Sequence, residues 1–136
     1  MNCLVIGGTS GLGLSLASLL TAHFNNVIVT GRRSISQEGL EMIPLSLTGD
    51  DLEIRLGEMV DKLAHIDTLV YAAGFLQMGT ITELETKNID DMMKVGLVTP
   101  MYLVRALLQK QGALSEFIAI TSTSQWTPRL DRKSVV

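Results

Sequence analysis

The chain has 136 residues, 46% of them hydrophobic, with a net charge of −3 and one cysteine, Cys3. That length suits a single domain with its own core. The basic residues are scattered, which gives no electrostatic reason to expect nucleic acid; one cysteine excludes an intrachain disulfide framework and a multi-cysteine zinc site; no apolar run approaches a membrane span.

The apolar start Met1–Gly8 is too short for a secretory signal and has no cleavage pattern, so the cytoplasm is the expected compartment. His23 and His65 lack metal-ligand neighbours at useful spacing, and no metal is expected. The basic cluster at Arg129–Lys133 is interrupted by Asp131.

Asn2–Gly7 reads as a buried strand, because Leu4, Val5 and Ile6 form a short apolar run cut off by glycine. Gly11–His23 follows with helical periodicity, placing Leu12, Leu16, Leu19 and Leu20 on one face. Val27–Thr30 is a β-branched run stopped by Gly31. The polar segment Arg32–Glu41 has room for a helical turn or two at most. Met42–Leu47 is the third strand, and Pro44 suits an edge because proline cannot donate to the ladder. Thr48 or Asp50 is placed to cap a helix whose apolar stripe is Leu52, Leu56, Met59, Val60 and Leu63. Ile66–Ala72 is the fourth strand. Ile81–Gln111 is mostly helical, with Pro100 able to open a new segment. Its expected buried faces are Met92, Met93 and Val95, then Met101, Leu103, Val104 and Leu107. Gly112 ends it, and Glu116–Thr121 is the fifth strand. Strands alternating with helical or crossover segments predict an α/β fold, with a doubly wound parallel sheet. Right-handed crossovers give the Rossmann-like strand order 3-2-1-4-5 over one domain, residues 1–136.

Residues 6–13, Ile-Gly-Gly-Thr-Ser-Gly-Leu-Gly, stand between the first strand and the first helix. Gly7 lets the chain leave the strand sharply. Gly11 lets backbone amides approach a pyrophosphate, and Gly13 lets the helix pack closely on the strand. The helix N-terminus directs partial positive charge at phosphates. The alternative is a packing turn with no ligand. No Gly-Lys-Ser/Thr follows, which excludes a P-loop.

The spacing Gly7-x-x-x-Gly11-x-Gly13 resembles the Thr-Gly-x-x-x-Gly-x-Gly signature of the short-chain dehydrogenases/reductases. Asp67-Thr68-Leu69-Val70-Tyr71-Ala72-Ala73-Gly74 resembles that family's Asp-x-Leu-Val-x-Asn-Ala-Gly segment. Pro44-Leu45-Ser46-Leu47 sits where the family often has an Asp flanking the adenine. Ile118–Pro128 resembles the fifth strand and the loop bearing the catalytic serine, here Ser122. The resemblance covers essentially the whole chain. It implies a cofactor site built from Gly7, Thr9, Ser10, Gly11, Leu12, Gly13, Ser46, Leu47, Ala72, Ala73 and Gly74.

Cofactor choice in such folds is made after the second strand: a carboxylate binds the ribose diol of NAD, and an arginine accommodates the 2′-phosphate of NADP. This chain has Thr30-Gly31-Arg32-Arg33 and no acid until Glu38. Guanidinium forks suit phosphate oxygens, so NADP(H) is expected in preference to NAD(H), with Arg32 as main contact and Arg33 beside it. Otherwise both arginines are surface charges after a strand.

The family's chemistry implies hydride transfer between nicotinamide and a small carbonyl or alcohol substrate. Ser122 holds the substrate oxygen, and a Tyr-x-x-x-Lys pair moves the proton. That motif is absent from the sequence: Tyr71 and Tyr102 are misplaced, and Lys133 has no tyrosine at the right spacing. Gly96 stands where a supporting Asn is usual. Ile6, Ala72 and Ser46 depart from the family's Thr, Asn and Asp. The resemblance therefore implies a cofactor-binding part, C-terminally truncated, that is inactive alone. The alternative is a non-catalytic nucleotide-binding or assembly module. An open fifth-strand edge bearing Phe117, Ile118 and Ile120 leads us to expect a homodimer or larger assembly.

Overall fold

The computed structural model describes residues 1–122. Five parallel strands lie in the spatial order third, second, first, fourth, fifth of the chain, as the alternation of elements predicts. Strand β1 (Asn2–Ile6) is central, with β2 (Asn26–Gly31) on one side and β4 (Thr68–Tyr71) on the other. Both its faces are covered, which is why its apolar residues are contiguous rather than alternating. Leu4 and Ile6 enter one core, Cys3 and Val5 the other. Helices α2 (Leu52–Lys62) and α4 (Thr99–Gln111) cover the first core through Leu52, Leu56, Met59, Val60, Leu103 and Leu107. Helix α1 (Gly11–Leu20) covers the second through Ala17. Each large side chain so buried contributes about 1.5–3 kcal/mol.

The face of α1 differs from its leucine periodicity. Leu12 and Leu19 are exposed, Leu16 and Leu20 are half-buried, and the buried residues are Gly13 and Ala17. Small residues win because the helix lies so close to the strand ends that leucines fit only along its flanks.

Strand β3 is Leu40–Pro44 rather than Met42–Leu47, set by pairing with β2 from Val27↔Leu40 to Gly31↔Pro44. It is an edge strand, as Pro44 implies. Neither Thr48 nor Asp50 caps α2. Asp51 precedes the helix, and its carboxylate accepts Arg55 Nε at 2.9 Å instead of a backbone amide. Arg55 also donates to the carbonyls of Ser46 and Thr48, holding the loop that leaves β3. The expected stripe of α2 is buried throughout.

The long helical region begins at Thr86, not Ile81. It comprises α3 (Thr86–Met93), a π-helical turn Lys94–Val98, and α4 with Pro100 in its first turn. Met93 and Met101 are exposed and Met92 is half-buried, contrary to the expected faces. Helix α4 meets α2 and the sheet along Leu103 and Leu107, one turn apart, and Met101 lies off that line. Gly112, at φ 80°, closes α4. Strand β5 (Glu116–Ala119) stops before Thr121 because Ile120 makes the last ladder bond, to Tyr71 O at 2.9 Å.

Candidate functional site

A crevice of about 370 Å³ opens over the carboxyl ends of β1, β2 and β4. This is where the strand order reverses, since β1 connects outward to β2 and, after β3, the chain returns to β4 on the opposite side. Such switch points hold ligands in open α/β sheets.

The glycine turn forms one wall. Gly7 has φ +80°, and a Cβ there would lie 2.7 Å from the Ala73 backbone nitrogen, so both conformation and space demand glycine. The amides of Gly7 and Gly8 both donate to Thr30 O, at 3.1 and 3.0 Å, latching the turn onto the end of β2. Gly13 faces the same turn: a Cβ there would meet Gly7 O at 2.2 Å. Gly11 differs. Its φ is +54°, but a Cβ would meet nothing within 4 Å, so this glycine faces open crevice. Ser10 precedes α1 in extended conformation, its hydroxyl makes no capping bond, and the first turn carries no acid. The helix dipole is thus left to act on what enters the crevice.

The structure brings together Gly7, Thr9, Ser10, Gly11, Leu12, Gly13, Arg32, Ser46, Leu47, Ala72, Ala73 and Gly74 around this crevice. Arg33 stands outside it and borders an adjoining polar hollow with Thr9, Ser10 and Arg32. Both arginines are exposed.

Sequence reasoning missed Thr30, Gly31, Leu45, Thr48, Phe75 and Val95, which also line the crevice. Gly31 was legible as a strand terminator and as part of the acid-free segment before Arg32, but not as a lining residue. Val95 is buried, as its helical periodicity predicts, but nothing in the sequence places it at the crevice, since the π-helical turn carrying it depends on contacts from outside the turn. Tyr71 OH donates to Val95 O, Thr99 Oγ1 to Lys94 O at 2.7 Å, and Lys94 Nζ to Gly49 O at 3.0 Å. Gly96 sits in this turn, exposed, with room for a Cβ.

Ser122 is exposed beyond β5. Its neighbour Thr121 lines a separate apolar groove of about 980 Å³, between α4 and β5, with Gly96, Val104, Leu108 and Phe117. Lys133, Trp126, the Arg129–Lys133 cluster and the rest of 123–136 lie outside the described residues.

Two buried acids are not proton carriers near neutrality. Burial pushes the Tyr71 phenol up to about 12, against a smaller opposing effect of its hydrogen bond with Thr99. Burial, and secondarily the charge of Glu116, pushes the Cys3 thiol up to about 11. Among the described residues no group of three or more His, Cys, Asp or Glu is placed to hold a metal, and no helix is long and apolar enough to cross a membrane.

The sequence matches the family model described as short chain dehydrogenase over residues 1–129. A D-beta-hydroxybutyrate dehydrogenase of Cupriavidus necator is 28% identical over 138 residues, covering 90% of this chain and 53% of that protein. The closed form of a serine dehydrogenase complexed with NADP+ superposes with TM-score 0.80 at 25% identity, covering 95% of this chain and 57% of the other. A 4-hydroxyisoleucine dehydrogenase complexed with NADH and succinate superposes with TM-score 0.80 at 19% identity, covering 93% and 61%. The chain spans about half the length of the curated relatives it matches. With the switch-point crevice, the glycine turn and the family match in agreement, the chain belongs to the short-chain dehydrogenase/reductase family.

Proposed function

We propose that the crevice binds NADP(H) in preference to NAD(H), and that the protein is an oxidoreductase passing hydride between that cofactor and a small carbonyl or alcohol substrate. The observation that carries the cofactor choice is the mouth of the crevice. Arg32 lines it, Arg33 stands beside it over Thr9 and Ser10, and the end of β2 offers no carboxylate. The fold alone does not decide, because relatives of this architecture hold NADP+ or NADH. The serine dehydrogenase with NADP+, at 25% identity, supports the phosphate-bearing choice.

In this reading the turn Gly7–Gly13 cradles the pyrophosphate. Ser46 and Leu47 flank the adenine, held by the Arg55 bonds behind them, and Ala72–Gly74 floor the ribose and nicotinamide. Bound cofactor supplies the hydride chemistry. Ser122 orients the substrate oxygen. The 136 residues contain no Tyr-x-x-x-Lys, so this polypeptide alone binds cofactor without turning substrate over. Gly96, with no side chain where a supporting Asn is usual, favours the second reading, a non-catalytic nucleotide-binding or assembly module.

A cytoplasmic location belongs to the same reading. Association of copies is part of the proposal. Among the described residues β5 has no strand on its outer side, and Phe117, Ile118 and Ile120 are exposed. Sedimentation equilibrium should find a dimer or larger; a monomer at tens of micromolar counts against that edge as an interface.

The test of the cofactor is titration calorimetry with NADPH and NADH. A charge-assisted bond contributes about 1.5–3 kcal/mol, so Arg32→Ala should weaken NADPH by roughly tenfold to a hundredfold and leave NADH nearly unchanged. Equal affinity of the unaltered chain for both cofactors would overturn the assignment.

A further inference from the structure

An NAD-selecting carboxylate in this architecture stands at the end of the second strand, about 20 residues after the glycine turn. Here that place is Gly31, the last residue of β2, on the crevice wall. Gly31 does not have the positive φ that would itself call for glycine. The obstacle to a side chain is Thr9. A Cβ at position 31 would lie 2.0 Å from Thr9 Oγ1, 2.7 Å from Cγ2 and 2.8 Å from Cβ. Rotating the threonine about its Cα–Cβ bond moves the first two atoms but not the third.

Neither backbone is free to retreat. Gly31 pairs with Pro44, and its carbonyl accepts the Leu45 amide at 3.0 Å. The turn carrying Thr9 is latched by the two amides on Thr30 O. Thr9 itself is buried. The same latch that closes the glycine turn therefore drives this side chain against the end of β2.

Resting on the NADP(H) reading, we propose that Thr9 is a specificity-determining residue whose side chain occupies the volume in which a diol-binding carboxylate at position 31 would begin. The pair Thr9–Gly31 thereby locks the chain out of an NAD-type site independently of Arg32. Introducing the acid alone fails, and introducing it while clearing Thr9 succeeds.

The experiment is a double-mutant cycle of Gly31→Asp, Thr9→Gly and the pair, in the 136-residue chain, read by urea midpoint and by NADH and NADPH titration. Gly31→Asp alone should lower the midpoint and weaken both cofactors. The pair should recover at least half of the lost midpoint, relative to Thr9→Gly, and bind NADH at least about tenfold more tightly than Gly31→Asp does. The proposal is overturned if Gly31→Asp alone keeps the parent midpoint and binds NADH as tightly as the pair. A recovered midpoint with no gain in NADH overturns the specificity role. Should the aspartate prevent folding in both backgrounds, Gly31→Ala with and without Thr9→Gly decides: rescue by Thr9→Gly sustains the steric lock, and no rescue sinks it. If the unaltered chain binds both cofactors equally, the NADP(H) reading fails, while the midpoint cycle still reports on the Thr9–Gly31 contact.

Discussion

Replacing Gly13 by alanine adds one methyl at the tightest point between α1 and the glycine turn. The new Cβ falls 2.2 Å from Gly7 O, whereas real Cβ atoms stay beyond 3.0 Å, so something must withdraw by at least about 0.8 Å. The oxygen belongs to a residue held on two sides, by its amide bond to Thr30 O and by its close approach to Ala73. The helix must therefore move, and it carries Ala17, fully buried in the second core. Overpacking of this kind costs about 1–3 kcal/mol. Alanine returns about 1 kcal/mol over glycine inside a helix, which leaves a net loss of up to about 2 kcal/mol, centred near 1 kcal/mol. With urea slopes of about 1–3 kcal/mol/M, a loss near 1 kcal/mol lowers the midpoint by roughly 0.3–1 M. Gly13→Val should fall further, because valine adds two more methyls at this contact and regains less helix propensity than alanine. Urea unfolding followed by far-ultraviolet circular dichroism measures this. An unchanged midpoint for Gly13→Val would falsify the claim that α1 seats on Gly7 through this glycine.

Tyr71→Phe leaves Val95 O without its buried donor, a loss of about 1–3 kcal/mol, and faster amide exchange across Lys94–Val98 should accompany it; native-like protection there means the π-helical turn stands without Tyr71. Alkaline pH should destabilise the fold. Cys3 and Tyr71 are acids kept neutral by burial, so their contribution is full below the unfolded values, 9.0 and 10.0, and is lost as pH rises through about 11 and 12. The urea midpoint should begin to drop near pH 9 in the parent and near pH 10 in Cys3→Ala, counting from those unfolded values; coincident profiles for the two would mean the thiol does not couple to folding. Gly57→Ala should stabilise by about 1 kcal/mol, because it is a mid-helix glycine whose Cβ meets nothing; a lower midpoint would show that α2 needs that gap.

Local pattern was sufficient wherever a residue's neighbours in sequence are also its partners in space. The apolar run Leu4-Val5-Ile6 marks a strand covered on both faces, and the stripe Leu52, Leu56, Met59, Val60, Leu63 marks the buried side of α2. The glycine spacing locates the crevice, because a sharp exit, an open approach and a close helix each need a missing Cβ at a fixed interval. What tertiary structure decided lies at contacts between distant segments. Leucine periodicity pointed α1 inward through Leu12 and Leu19, but the distance set by Gly7 and Gly13 turned Ala17 inward instead. Met101 left the core because the α2–α4 seam runs through Leu103 and Leu107. Val95 joined the crevice because Tyr71 and Thr99, from outside the turn, hold its carbonyls in a π-helical arrangement. The reason Gly31 bears no side chain stands 22 positions earlier in the chain, at Thr9, and only the parallel pairing of β1 with β2 brings the two together.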